Sequence, residues 1–450
     1  MLSAIGLSLL VVGLTDPGMG REDTAPKLVV HEWGTFTSLQ DEDGKAVGGI
    51  NTDDEPVPAF VHQLRKHLLI ELTDLPPSFF QGAPHCHPDV NLRLETPVVY
   101  FYPPQSGPNP LTIDVRVRFR GGWLSEFYPD AVVDAPGLAS GTFDFGHLLS
   151  EHTGSLTWKS LTIGGQRPGP ETSEHVWTSP RRVKAVSVKA TSGESEKFLF
   201  YRGVGHVDAP LRLSQERGRL VIRSQLERLL KFDAPLRIND LWLADIRADG
   251  SVAFRVIAPV TANTDTQRVV ATIPMAFNKD MYSQSNLKQL CAAMHAALVR
   301  EGLFDDEASA LLRTWELSYF KSAGLRLFFL VPPAWVSHYL PLELSVPAEM
   351  KRVLIGRIEL VTPQHRKLLR KIAAGPASDG RWRDDLLRNR ITENLLTKIG
   401  ATIPIPEDYR AYIGLGRFRN ALVLDEAKRQ PTKSLNQFIE NYGLGAFEVK

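Results

Sequence analysis

His85-Cys86-His87 is the stretch of this chain whose residue types and spacing both suit chemistry. In an extended segment, residues two apart point to the same side. The imidazoles of His85 and His87 then converge on one ion, with Cys86 facing away. Pro84 and Pro88 favour that extended reading, because a proline restricts the residue before it. Neutral imidazoles suit zinc or iron. Two ligands do not complete a site, so His31 is the candidate third ligand and Glu32 the candidate general base. His31 and Glu32 are neighbours on an expected strand and face opposite sides, so they are not a ready-made dyad. Against the metal reading stands the commoner fate of loop histidines, which is plain solvation.

The remaining charged clusters point to surfaces. Asp53-Asp54-Glu55 and Asp41-Glu42-Asp43-Gly44 lack the alternating oxygen pattern of a calcium loop and read as solvated turns. His365, Arg366, Lys367, Arg370 and Lys371, followed by Arg381, Arg383, Arg388 and Arg390, form the densest basic region. Leu368, Leu369 and Ile372 take the inner face of that helix and the bases the outer one. This gives a solvated amphipathic surface, with an anionic surface ligand as the sharper alternative. The chain has no G-x-S-x-G, H-E-x-x-H, P-loop or G-x-G-x-x-G after a strand. Serine hydrolysis on an α/β-hydrolase fold, P-loop phosphoryl transfer and Rossmann hydride transfer are thereby disfavoured.

The elements that must position these residues change type along the chain. From residue 28 to about 275 the pattern is strand. Val115, Val117 and Phe119 alternate with Arg116, Arg118 and Arg120, one side buried and the other wet. Leu241 to Arg247 and Val252 to Ala258 flank Asp249-Gly250 as a hairpin. After residue 280 the period becomes helical. The stripe Leu287, Leu290, Cys291, Met294, Leu298 marks a helix over 285–300, and a second begins at Asp305. Two apolar strands follow, over 325–331 and 353–361. Thr362-Pro363 then opens a helix that Gly375 closes. Further helices are expected from Asp384 to Lys398 and from Thr432 to Asn441. The fold class is therefore multidomain, β-rich plus α+β. An antiparallel β-sandwich-like domain over 21–275 is followed by a smaller, helix-rich α+β domain over 276–450.

Apolar content of 43%, charged content of 23% and a net charge of +1 fit a soluble globular chain with no field that selects a nucleic acid. The charge is unevenly placed. Residues 351–450 hold 19 Lys and Arg against 11 Asp and Glu, a net of +8, and residues 1–350 hold 33 against 40, a net of −7. The plain reading is that the two parts dock on each other. Residues 4–14 are apolar and uncharged, too short to span a bilayer, and precede the small residues Gly18-Met19-Gly20. Residues 1–20 thus read as a secretory signal, although no Lys or Arg precedes Arg21. No later run has the length of a membrane helix. Cys86 and Cys291 are the two cysteines. The core stripe around Cys291 argues for a buried thiol over a disulfide.

The segments His31-Glu32-Trp33-Gly34-Thr35-Phe36-Thr37, Tyr201-Arg202-Gly203-Val204-Gly205 and Val353 to Leu360 resemble a family of uncharacterised exported bacterial proteins. The resemblance implies export and no assigned activity. Two functions stay open. One is an exported, non-catalytic binding or structural module. The other is a metal-dependent extracytoplasmic enzyme, a hydrolase or oxygenase, with His85 and His87 as ligands. Export makes a definite prediction: mass spectrometry of the native protein finds a mature N-terminus near Arg21. An intact Met1 in a cytosolic fraction would exclude it.

Overall fold

The computed structural model describes residues 27–51, 57–64, 79–80, 83–104, 110–136, 145–226, 235–262, 265, 267–375 and 405–444. The expected signal segment, the helix from Asp384 and the bases Arg381 to Arg390 lie outside the described residues. Strand outweighs helix, 39% to 26%, so the chain is β-rich.

The strands that matter below are β1 (Leu28–Gln40), β2 (Leu92–Tyr102), β3 (Leu111–Arg120), β4 (Gly122–Tyr128), β5 (Thr153–Ile163), β6 (Leu199–Gly205), β7 (Leu241–Ile246), β8 (Val252–Ile257), β9 (Gly324–Leu330) and β10 (Ala348–Leu360). They belong to one mixed sheet of 15 strands, whose central path runs β5-β4-β6-β2-β1-β10-β9-β7-β8. The helices that matter below are α1 (Ser285–Arg300), α2 (Asp305–Thr314), α3 (Pro363–Ala374), α4 (Glu407–Gly414), α5 (Arg419–Arg429) and α6 (Lys433–Asn441).

The alternation in β3 holds as expected: Ile113, Val115, Val117 and Phe119 are buried, while Arg116 and Arg120 are exposed. The β7–β8 hairpin forms too, with Gly250 at φ 80° in its turn. Thr362 caps α3 by accepting from the His365 backbone. The expected division near residue 275 does not fall at a break in the sheet. β10 pairs in parallel with β1 along all 13 residues of each strand, Leu28 with Ala348 through Gln40 with Leu360. β9 then pairs with β10, so strands from both ends of the chain form the middle of one sheet. Before β2, His62 and Gln63 form a short strand paired with β4.

The two faces of the sheet differ. One packs into a large apolar core containing Val30, Phe36, Leu94, Phe101, Phe329, Leu354 and Ile358, together with the buried side of β3 and two smaller sheets. The opposite face carries two separate cores. Trp33, Tyr100, Phe200, Phe328 and Ile355 pack under α1 and α2. Leu39, Trp123, Val204 and Val361 pack under α3 to α6.

The docking expected from the uneven charge is visible as ion pairs between distant parts of the chain. Arg352 meets Glu32, Arg366 meets Glu42, Arg417 meets Glu95 and Arg429 meets Asp41. This corrects the outward reading of Arg366. Its guanidinium is spent on Glu42 and Glu426, at 2.7 Å each.

At the junction of the two ends, Gly356 of β10 lies opposite Phe329 of β9, and a Cβ at Gly356 would sit 2.2 Å from the ring. Gly356→Ala is expected to lower stability by about 1–3 kcal/mol, read from the urea midpoint. An unchanged midpoint would mean that the ring has room to move.

Candidate functional site

The residues singled out from the sequence occupy four different surroundings. His31 is buried on β1, with Nδ1 2.7 Å from Glu307 Oε2. The same carboxylate accepts from the Tyr102 hydroxyl at 2.7 Å and from the Phe304 backbone. Glu32 faces the other side of the sheet, as expected for a strand neighbour. It accepts from the Tyr201 hydroxyl and from Arg352 Nε, the latter at 2.6 Å. Burial and the Glu32 carboxylate push the Tyr201 phenol well above its ordinary range.

His85 and His87 bond different partners. Cys86 between them has φ 53°, a left-handed backbone that breaks the extended geometry the spacing presumed. His85 Nε2 lies 3.1 Å from Asn420 Nδ2 and 3.6 Å from Cys86 Sγ. His87 is fully buried. Its Nε2 donates to the Gly146 carbonyl at 3.2 Å, and its Nδ1 accepts from the Asp89 backbone. Burial lowers the His87 pKa, so the ring is neutral in its place beside Trp123. Among the described residues, no group of three or more His, Cys, Asp or Glu side chains is placed to hold a metal ion. Cys86 and Cys291 are both free thiols.

A different cluster dominates the sheet face between its two helix-covered cores. Along β1 the residues on that face run Trp33, Thr35, Thr37, Leu39. Trp33 and Leu39 belong to the separate cores, and the two threonines lie between. β10 repeats the pattern with Ile355, Arg357, Glu359 and Val361, and β6 with Phe200, Arg202 and Val204. Arg93 and Glu95 on β2, Glu126 on β4 and Arg326 on β9 complete a buried charged belt across six adjacent strands.

Local irregularities bring these side chains into line. The β1–β2 register shifts between Trp33 and Thr35, where β2 carries Thr96 at φ 43°. A bulge of this kind changes which face a strand presents. Arg93 and Glu95 thereby share a face with Val98 and Tyr100. Gly34 permits the bulge, since a Cβ there would meet Pro97 at 3.0 Å. A second register shift falls between Arg202 and Gly203, where β6 pairs with β4.

Within the belt the carboxylates are consumed by guanidinium and hydroxyl donors. Glu95 takes Arg417 Nη2 at 2.6 Å and the Thr37 hydroxyl at 2.8 Å, with Arg93 Nε 3.6 Å away. Arg202 lies 3.6 Å from Glu126 and donates to the Thr96 hydroxyl at 3.0 Å. Glu359 takes Arg357 Nε at 2.7 Å and Arg326 Nε at 3.1 Å. Arg326 also serves the backbone. After α2 the chain runs through a π-helical segment, Leu317–Lys321. Arg326 Nη1 donates to the Ser318 and Tyr319 carbonyls, and Nη2 to the Ser322 carbonyl, at 2.8–3.0 Å. It thus satisfies carbonyls that a helix end leaves without partners. Tyr319, in that segment, bonds Thr35 through its hydroxyl. Its ring stacks with Trp315 at 6.0 Å and lies 5.5 Å from the Arg357 guanidinium, while Arg202 stands 6.0 Å from the Trp315 ring. Short π segments often occur at functional sites.

The electrostatics follow from burial and neighbours. Burial alone would raise Glu95, but Arg417, Arg93 and Arg357 outweigh it and hold the carboxyl down to about 2. Glu359 is likewise lowered, against burial, by Arg326 and Arg357. Burial wins at Glu126, which is raised. Arg93 is pushed well below its ordinary range by burial and by the like charge of Arg417, and Arg326 down to about 10. Glu95 and Glu359, held ionised this way, are poor proton acceptors. The belt is built to hold charge rather than to move protons.

No known family model matches the chain. No curated protein matches it. Among solved structures, it is similar to the mu homology domain of Fcho1 from Danio rerio, solved with a bound Eps15 peptide. The two share 8% identity with a TM-score of 0.28, over 75% of this chain and 95% of that one. It is also similar to the yeast delta-COP-I mu-homology domain complexed with a Dsl1 WxWxV peptide, at 9% identity and a TM-score of 0.28, over 75% and 98%. Likeness at this level assigns no ligand or activity.

Sequence reasoning missed the belt. The signal was present as charged residues inside apolar runs, Leu92 to Tyr102, Leu199 to Gly205 and Val353 to Val361. An Arg in such a run reads as the wet side of a strand until a second layer covers it.

The Glu95 pKa gives a directional test. Its folded value, about 2, lies below its ordinary 4.5, so its stabilisation is present above pH 4.5 and fades as pH falls towards 2. Glu95→Gln leaves Arg417 and Arg93 without that counter-charge and is expected to cost about 3–5 kcal/mol near neutrality. The gap between wild type and variant should narrow from pH 4.5 to 2 in denaturation series. A gap independent of pH would contradict this account.

Proposed function

We propose that the protein is an exported, non-catalytic binding module on a β-rich, sandwich-like scaffold. The observation that carries the reading is the commitment of every candidate catalytic group to an internal network. His31 is held by Glu307, Glu32 by Tyr201 and Arg352, His85 meets Asn420, and His87 bonds Gly146 and Asp89. These contacts fix side chains in the core, and at His85 and His87 they spend a ring lone pair that a metal ligand would use, whereas Glu307 takes the Nδ1 proton of His31 and leaves its Nε2 lone pair. What remains in the belt is the Nη1 and Nη2 edge of Arg357, which suits recognition of a polar ligand. The apolar run over residues 4–14 and the resemblance noted above support the export part of the reading.

The competing metal-dependent enzyme, with zinc or iron on His85, His87 and His31 and Glu32 as base, requires three imidazoles to meet. In the structure their partners come from different elements. The anionic-surface reading of the basic region near α3 is weakened for Arg366 by its pairing with Glu42 and Glu426.

Elemental analysis of untagged protein from zinc- and iron-supplemented cultures decides between the two. Sub-stoichiometric metal is expected. His87→Ala should lower the melting temperature, because it empties a buried site beside Trp123. One metal per chain, lost in the His85→Ala, His87→Ala double variant with the fold intact, would overturn the binding-module reading.

A further inference from the structure

Arg357 holds more donors than its surroundings use. It sits on β10 in register with Thr37 of β1 and Phe328 of β9. Its side chain is fully buried, and Nε donates to Glu359 at 2.7 Å. Nη1 and Nη2 are buried as well, and among the described residues neither finds a hydrogen-bond partner. Four of the five N–H bonds of the guanidinium are therefore left over. Structures seldom leave buried donors in this state without a reason.

Neutralising Glu359 does not supply one. Arg326 already stands 3.1 Å from the same carboxylate and also holds three backbone carbonyls, so Arg326 has a structural task that Arg357 lacks. The Tyr319 ring, 5.5 Å from Arg357 Cζ, favours the cation but accepts none of the in-plane N–H bonds. Keeping these N–H groups buried without acceptors carries their full desolvation cost. A donor pair kept at that cost matches a ligand. The paired Nη1 and Nη2 edge of an arginine fits two oxygens of one anionic group. The charged groups that act on Glu95 in this part of the belt are Arg93, Arg357 and Arg417, which favour an anion over a neutral acceptor.

We propose that Nη1 and Nη2 of Arg357 form a buried oxyanion site, taking the carboxylate, phosphate or sulfate group of a small ligand. The site deepens the binding-module reading and rests on it only for the statement that binding is the protein's role. One metal per chain would defeat that reading and leave this site untouched.

The test uses the full chain. Calorimetric titrations and thermal melts are run with sodium phosphate, sulfate and acetate, against chloride at matched ionic strength. At least one of the three is expected to bind saturably at one per chain and to raise the melting temperature with concentration. A response to acetate identifies a carboxylate ligand, and a response to phosphate or sulfate a tetrahedral one. R357M should weaken that binding by about tenfold to a hundredfold, with its melting temperature measured without ligand because it takes one of two arginines from Glu359. R357K keeps the charge and loses the fork, so it should show the same loss if R357M does not fold. Crystals grown with selenate should give an anomalous peak within hydrogen-bond reach of Nη1 and Nη2. The proposal is overturned if none of the three anions binds the wild type. Wild-type affinity in either folded variant, or water alone beside Arg357, would overturn it equally.

Discussion

Burying guanidinium groups across the middle of a sheet face is the constraint that the rest of this structure answers to. Arg93, Arg202, Arg326 and Arg357 are all buried on β-strands, and each needs acceptors that a strand cannot provide by itself. Acceptors come from three directions, and a fifth arginine shares one of them. Glu95, Glu126 and Glu359 lie on the same strands or their neighbours. Thr96 sits on a bulge, carbonyls come from the π-helical turn, and Arg417 arrives from the connection between α4 and α5 to complete the Glu95 cluster. The belt also explains why the face carries two cores instead of one. Apolar side chains from α1 and α2 cover one side of it, those from α3 to α6 the other, and neither core extends through the charges.

How much of this was legible in the sequence depended on whether the signal was local. The alternation of β3, the β7–β8 hairpin, α1 and the capped start of α3 were all visible, because period and turn chemistry act over a few residues. The partnership of β1 with β10 was not. It joins residues about 320 apart along the chain, and nothing in either strand names the other. An apparent change from strand-rich to helix-rich sequence near residue 275 therefore looked like a domain boundary, although the sheet continues through it. The backbone from His85 to His87 departs from the expected extended form for a local reason that sequence hides. Prolines on both sides favoured an extended backbone, and Cys86 adopts φ 53° instead.

The segments that prompted the family resemblance turn out to be neighbours in space. His31 to Thr37 lies within β1, Tyr201 to Gly205 within β6 and Val353 to Leu360 within β10. Thr35, Thr37, Arg202, Arg357 and Glu359, all belt residues, come from these segments. The belt threonines of the motif sit three to six positions beyond His31 and Glu32. His31 and Glu32 hold their own corners of the protein, and the threonines after Gly34 line the belt.

The parallel pairing of β1 with β10 also sets an order of events during synthesis. β1 can find its antiparallel neighbour β2 once about a hundred residues exist, but its other edge has no partner until β10 is made. Every shorter nascent chain carries a 13-residue strand with one row of backbone donors and acceptors open. An edge of that length is a template for pairing with other chains. Closing it requires a loop of some 300 residues, which places this fold among the slow, non-local folders. The sheet around β1 is thus unfinished until the ribosome has passed residue 360, and whatever guards the nascent chain must shield that edge until then.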